Sequence, residues 1–236
     1  MSEFIEHLGK EIKVICSKDH GFGTDAILLS HFANPKKTDK CCDLGTGCGI
    51  IPLLFKRDGI KEVYAVEIQE KAIDQLKRSN ELSNTNIKIY HEDLRNNTLP
   101  KGYFNVVTMN PPYKSAGAGI LSETTPDQIA RHEVSCTIDD AAKAAASLLN
   151  FGGCFYLCHR PERLADVITS MRKQELEPKK IRFVQKRPET APWLFLIEGK
   201  KGAKPHIQVL PPLFIQDENG NESKELIEIL GIYREE

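Results

Sequence analysis

KCCDLGTGCGII, residues 40–51, carries a short apolar run into a glycine-rich turn. An apolar run closes on Asp43, glycines follow at 45, 47 and 49, and the segment GIIPLLFKRDG (49–59) reads as a helix. Glycines alternating in a turn permit positive φ and let a ligand approach the backbone, and the helix behind them offers unpaired N–H groups. A strand, such a turn and a helix are how doubly wound α/β domains open a nucleotide site, at the carboxyl end of the first parallel strand.

The same alternation continues outward from this stretch. EVYAVEI (62–68), IKIYHED (87–93), FNVVTMN (104–110) and CFYLCH (154–159) read as buried strands. QEKAIDQLKRSNELS (69–83) reads as a helix with Ala72, Ile73 and Leu76 on one face. TIDDAAKAAASLLNFGG (137–153) has a Thr137 cap with Asp140 three residues on, and its expected stop is Asn150 with the two glycines behind it. RPERLADVITSMRKQ (160–174) opens a further helix with a proline. Alternating strands and helices imply an α/β fold: a mostly parallel sheet with helices on both faces. IRFVQKR (181–187) and PWLFLIEGKK (192–201) are too close for a helical crossover, so they are expected to pair as an antiparallel hairpin. The sheet then ends in one reversed strand. The expectation is a single domain over residues 1–236, with an N-terminal extension (1–38) covering the cofactor, a core (39–200) and a tail (201–236).

Composition is that of an ordinary globular chain, 40 % hydrophobic and 28 % charged. No apolar stretch approaches the ~18 residues that a bilayer crossing needs, and MSEFIEHLGKEIK lacks the apolar centre of a secretory leader. The seven cysteines include no C-x-x-C pair and read as reduced thiols, which points to the cytoplasm; Cys154 and Cys158 are expected to be core residues. The seven histidines show no metal-ligand spacing, so no metal is expected. Net charge is −1, yet residues 171–204 carry ten Lys or Arg against four acids. That excess suggests an RNA-facing surface, with Lys186, Arg187, Lys200 and Lys201 as its leading candidates, the two pairs brought together by the hairpin.

Three ligands compete for the glycine turn. A phosphate-gripping loop needs G-K-[ST], and no lysine follows these glycines; a dinucleotide site wants G-x-G-x-x-G, and this is G-x-G-x-G after an acid. Asp43 would repel a pyrophosphate but suits a cationic amino-acid moiety, such as the ammonium and sulfonium of S-adenosylmethionine. Glu67, eighteen residues past Gly49 at the end of the next strand, is placed to accept ribose hydroxyls.

NPPYK (110–114) supplies the second half of the argument. Two prolines forbid a helix interior or a central strand, so a buried strand stops here with an aromatic left on the loop. Asn110 offers a side-chain carbonyl and Pro111 a backbone carbonyl without a competing N–H, both held in fixed directions by the prolines that follow them. Together they can accept both hydrogens of an exocyclic amine and favour a pyramidal nitrogen whose lone pair faces a methyl donor. Tyr113 can stack on an extruded base.

With these motifs in place, GFGTDAILLSHFA (21–33), DLGTGCGIIPLL (43–54), VEIQEKAIDQLKRSNELS (66–83), NPPYK and ARHE (130–133) together resemble the tRNA (adenine-N6)-methyltransferases that act on valine tRNA beside its anticodon. The resemblance runs over roughly residues 5 to 200. It implies a Rossmann-like class I methyltransferase fold of seven strands, S-adenosylmethionine as cofactor and tRNA as partner. It further implies that Asn110, Pro111, Pro112 and Tyr113 form the target-base site. Asp43, Gly45, Gly47, Gly49, Glu67 and Asn110 would then hold the cofactor, Asp93 would approach its adenine, and Phe22, Thr24 and Asp25 would close over its methionine end. Lys114 and Arg131 join the expected RNA contacts, though a charged helix start explains Arg131 equally well, and residues 114–128 are expected to form a substrate lid.

The competing readings are a protein-glutamine N5-methyltransferase, whose amide suits the same Asn-Pro-Pro-Tyr geometry, and a guanine-N2 RNA methylase. The first usually carries an added N-terminal helical domain, and fewer than 40 residues precede the first core strand here; the second more often has Phe after the prolines. Outside enzymes, a non-catalytic RNA-binding module is the alternative, against which the intact glycines and the intact Asn-Pro-Pro-Tyr both count. No membrane and no obligate protein partner are expected.

Overall fold

The computed structural model describes residues 2–9, 11–111 and 136–234, with side chains described as far as residue 231. A hairpin of β1 (Glu3–His7) and β2 (Lys13–Ser17) comes first. Then follow α1 (Thr24–Ala33), β3 (Lys40–Leu44), α2 (Ile50–Arg57), β4 (Glu62–Glu67), α3 (Glu70–Leu82), β5 (Lys88–His91) and β6 (Phe104–Met109). After the residues outside the description come α4 (Ile138–Leu148), β7 (Leu149–His159), α5 (Leu164–Lys173), β8 (Leu176–Gln185) and β9 (Pro192–Lys201). The short strands β10 (Gln208–Val209) and β11 (Leu213–Phe214) and helix α6 (Lys224–Arg234) end the chain.

The main sheet runs β10-β8-β9-β7-β6-β3-β4-β5, with β11 also on β8. From β5 to β7 every pairing is parallel, and β9 is antiparallel to both β7 and β8. This is the expected seven-stranded sheet with one reversed strand, enlarged to nine by β10 and β11 lying parallel along β8. Their sequence, QVLPPLF, is broken by Pro211 and Pro212, which an edge tolerates because no ladder bond is lost there.

Both faces of the sheet are covered, which explains the unbroken apolar strands. In β3, Cys41 packs into the core under α1 and α2 while Cys42 packs into the core under α4 and α5, and both are fully buried. Thr137 and Asp140 close a capping box on α4, as their spacing predicts. The expected glycine stop is different in kind: α4 ends at Leu148 and the chain turns straight into β7. Gly152 (φ +79°) and Gly153 lie inside that strand, where a Cβ on Gly153 would come 3.0 Å from the Phe104 carbonyl oxygen. Gly153 serves the close approach of β7 to β6, and Gly152 supplies a positive φ within the strand, instead of ending a helix.

The N-terminal hairpin is pinned to α3 by two serines. Ile15 N donates to Ser79 Oγ at 2.8 Å and Lys13 N donates to Ser83 Oγ at 2.9 Å. Ser79 is fully buried and its hydroxyl also donates to the Gln75 carbonyl. Replacing Ser79 by Ala would leave the Ile15 N–H buried without a partner, so urea denaturation should show a loss of about 1–3 kcal/mol. A loss of a few tenths would mean that the hairpin is not held this way.

Candidate functional site

The parallel strands deliver their carboxyl ends to one rim, and the polar residues cluster there. Asp43 and Thr108 are register partners on β3 and β6, and Thr108 Oγ1 donates to Asp43 Oδ1 at 2.6 Å. Both are buried. Burial pushes the Asp43 carboxyl up to about 7; the Thr108 hydrogen bond works against that rise and the charge of Glu67 adds to it. Thr108 is a polar residue in an otherwise apolar strand, a sequence signal that can be recognised once its register partner is known.

The glycine turn wraps over this carboxylate. Gly45, Gly47 and Gly49 all have positive φ, at +62°, +56° and +86°. They serve different ends. A Cβ on Gly47 would meet nothing within 4 Å, so this glycine opens onto free space. A Cβ on Gly49 would fall 2.2 Å from Leu76 Cδ1, so this glycine lets α2 approach α3. Gly49, expected beside the cofactor, thus serves the packing of two helices.

Glu67 ties the turn to the next strand. Its Oε2 accepts from Gly47 N at 2.8 Å, and its Oε1 accepts from Ile68 N and Gln69 N at 2.9 Å each. A carboxylate has about four acceptor positions. Three are taken, so a diol donating twice to Glu67 must share one of them with a backbone N–H.

Asp43, Gly45, Thr46, Gly47, Glu67 and Gln69 line a cavity of about 340 Å³. Phe22, Asp25, Asn110 and Pro111 line the same cavity. A second cavity of about 120 Å³ continues from Gly45, Glu67 and Gln69 towards Asp93 and Arg95. A larger cavity, about 430 Å³ between the N-terminal hairpin and α3, shares no lining residue with the glycine turn. Thr46 Oγ1 is buried at the first cavity; it lies near enough to Asp43 to ease its charge but makes no well-formed hydrogen bond among the described residues. Asp93 lines the second cavity. Its carboxylate caps the turn at Arg95 N and ion-pairs with the Arg95 guanidinium, which holds it below the usual carboxylate range. Thr24 is exposed and is not among the residues lining either cavity.

Asn110 follows directly on β6, two residues beyond Thr108. Cys158 Sγ, on the neighbouring strand β7, donates to Asn110 Oδ1 at 3.1 Å. Cys158 is buried in the core as its sequence context suggests; its bond to Asn110 is a second role that only the β6–β7 pairing discloses. Pro112, Tyr113, Lys114, Arg131 and the expected lid at 114–128 lie outside the described residues. Among the described residues no group of three or more His, Cys, Asp or Glu is placed to hold a metal ion, and no helix is long and apolar enough to cross a membrane.

The basic residues do not gather as expected. The hairpin forms, but its register sets Lys201 against Leu176 and Gln185 against Pro192. Lys186 and Arg187 therefore follow the end of β8 at the rim of the cavity, while Lys200 and Lys201 lie at the opposite rim. Lys201 Nζ donates to the carbonyls of Ala146 (2.6 Å) and Leu149 (2.8 Å), closing the end of α4. An antiparallel pair joined by a short turn brings its two outer ends far from that turn, so these two pairs cannot share one surface.

The elevated Asp43 predicts a pH dependence of stability. The folded value, about 7, exceeds the ordinary value of 3.8, so the folded state holds a proton that the unfolded state gives up first. That contribution is complete below about pH 4 and is lost as pH rises through about 7. Asp43→Asn, which keeps an acceptor for Thr108 and cannot titrate, should gain stability relative to the parent between pH 4 and 7 and hold a constant advantage above. Denaturant midpoints at several pH values measure this; an offset independent of pH would contradict it.

A tRNA1(Val) (adenine(37)-N6)-methyltransferase of Histophilus somni is 33 % identical over 140 residues, covering 57 % of this chain and 58 % of that protein. A Methanocaldococcus jannaschii relative named for protein N5-glutamine methyl transfer is 33 % identical over 89 residues, 38 % of this chain and 44 % of its own. The match spans a little over half the length of the first of these relatives. The crystal structure of a predicted O-methyltransferase from Agrobacterium tumefaciens superposes with a TM-score of 0.70 at 18 % identity, over 89 % of this chain and 97 % of that one, and shares its fold. The family model of the methyltransferase small domain matches residues 8–132, more than half of the chain. With the glycine turn, the acid-ended strands and Asn110 all inside that match, the chain belongs to the methyltransferase small domain family.

Proposed function

We propose that this chain transfers a methyl group from S-adenosylmethionine to the exocyclic N6 amine of an unpaired adenine in RNA, in the cytoplasm, with the adenine beside the anticodon of valine tRNA as its substrate. The observation that carries the reading is that Asn110 and Pro111 line the same cavity as the glycine turn and Asp43. The names of the relatives over the matched region support the choice of amine and of RNA.

The cavity fits the cofactor on three counts. Gly47 leaves open space where a side chain would stand. Asp43 and Glu67 make an acidic wall, suited to a ligand that carries two positive centres. The Thr46 hydroxyl is a buried polar group in want of a partner. S-adenosylmethionine, when bound, supplies an electrophilic methyl on sulfur. Asp43 in its ionised form would hold the cationic amino-acid end, Glu67 the ribose, and the Asp93–Arg95 corner the adenine end.

Asn110 Oδ1 and the Pro111 carbonyl would accept the two hydrogens of the target amine. Oδ1 has two lone pairs, so the bond from Cys158 does not bar a second donor. Attack of the amine lone pair on that methyl would form the nitrogen–carbon bond as the carbon–sulfur bond breaks and sulfur leaves as a neutral thioether; the nitrogen, cationic on transfer, would give a proton to water, so a strong base is not needed. Tyr113 is assigned to stacking on the extruded base, and extrusion costs least for a base that is already unpaired. The M. jannaschii relative keeps a glutamine amide as the competing acceptor.

Product identity decides between the two. Incubating the protein with labelled S-adenosylmethionine and total RNA or total protein, then digesting, should give N6-methyladenosine. Asn110→Ala should lower the rate by roughly 100-fold or more, the scale for one polar group aimed at the reacting atoms, with cofactor affinity nearly unchanged. Methylglutamine, or N2-methylguanosine in the RNA, would show that Asn110 serves another nucleophile.

A further inference from the structure

The strand ends beyond Asn110 carry a second constellation on the same rim. β7 ends at His159, where it is paired with Phe195 of β9, and β8 ends at Gln185 opposite Pro192. The residues at or just beyond these ends are Arg160, Trp193 and Lys186, on successive strands leading away from Asn110. At about 4.8 Å per strand, they stand roughly 5, 10 and 14 Å from it along the rim.

Their arrangement is specific. The Arg160 guanidinium carbon lies 5.8 Å from the centroid of the Trp193 ring, and Arg160 Nη1 donates to the Trp193 carbonyl at 3.3 Å. Trp193 is half-buried, resting against the core on the side of α1. Arg160 and Lys186 are exposed, and Lys186 makes no ion pair among the described residues. Arg187, next along the chain, is paired with Glu189. An indole beside a guanidinium, with an exposed ammonium one strand further, suits alternating bases and phosphates: the planes stack on bases and the cations hold the backbone. A peptide carrying a glutamine would find little use for such a row.

We propose that Arg160, Trp193 and Lys186 form the platform for the nucleotides flanking the target base, with a base stacked on Trp193 and phosphates on Arg160 and Lys186. This rests on the reading of the substrate as RNA, and it extends that reading from the reacting base to the path of the strand.

Trp193 is the chain's only tryptophan, so its emission reports on this surface alone. Unmodified tRNA titrated into the full chain without cofactor should quench that emission saturably. Arg160→Gln combined with Lys186→Gln should weaken binding about tenfold or more and reduce the salt slope by about 0.7 to 0.9 for each phosphate no longer held. Trp193→Phe should bind nearly as the parent does and Trp193→Ala should bind more weakly; circular dichroism identifies a variant that has not folded. Lys200→Ala, at the opposite rim, should change neither affinity nor slope. Binding without a change in emission, or a double variant with unchanged affinity and salt slope, overturns the platform. The nucleoside product is read separately: N6-methyladenosine formed by a chain whose platform variants bind normally would sink this proposal and leave the adenine reading standing.

Discussion

The hydrogen bond from Thr108 to Asp43 joins the two central strands at the point where both stop. It holds a carboxylate in an apolar interior, where burial drives its affinity for a proton up to about 7. Such a group costs stability unless a positive ligand arrives, and the surrounding parts are arranged to admit one. The glycine turn arches over it, Gly47 leaves space above it, and Glu67 fixes the turn through the Gly47 N–H. Asn110 stands two residues beyond Thr108, just past the end of β6, so the bond that joins Thr108 to Asp43 also sets how Asn110 and Asp43 are spaced in the cavity.

Much of this is legible in the sequence because strand order and strand ends follow from local pattern. DLGTGCG ends one strand and NPPY the fourth in sequence order, and a doubly wound sheet must bring those two ends together. The reversed strand is equally plain from the short gap between IRFVQKR and PWLFLIEGKK. What pattern does not give is register over a distance. The pairing of Lys201 with Leu176 puts Lys200 and Lys201 on the far rim, and only that register shows it. Cys158 illustrates the same point: buried between apolar neighbours, it reads as packing until β6 and β7 are laid side by side. Gly153 looks like part of a helix stop in sequence because the demand it meets comes from β6, nearly fifty residues earlier.

The three glycines of the turn divide their labour between ligand and fold. Gly49 admits Leu76 and so fixes how α3 lies against α2, while Ser79 on the same helix holds β2. The N-terminal hairpin is thereby tied to the helix that follows Glu67, and the segment after β2 brings Phe22 and Asp25 to the cavity wall. One helix thus couples the N-terminal hairpin to the glycine turn. That coupling explains why residues before the first core strand take part in a site whose motifs lie well after it.

The central claim is that Asp43 is protonated in the ligand-free protein near pH 6 and ionised when the cation is held. Calorimetry of S-adenosylmethionine binding at pH 6, in buffers of different ionisation enthalpy, measures this directly. The expected result is release of about one proton for each cofactor bound, fading above about pH 8, and loss of that release in Asp43→Asn. Binding that exchanges no proton at pH 6 would contradict it, and would mean that Asp43 does not carry the charge on which the site is built.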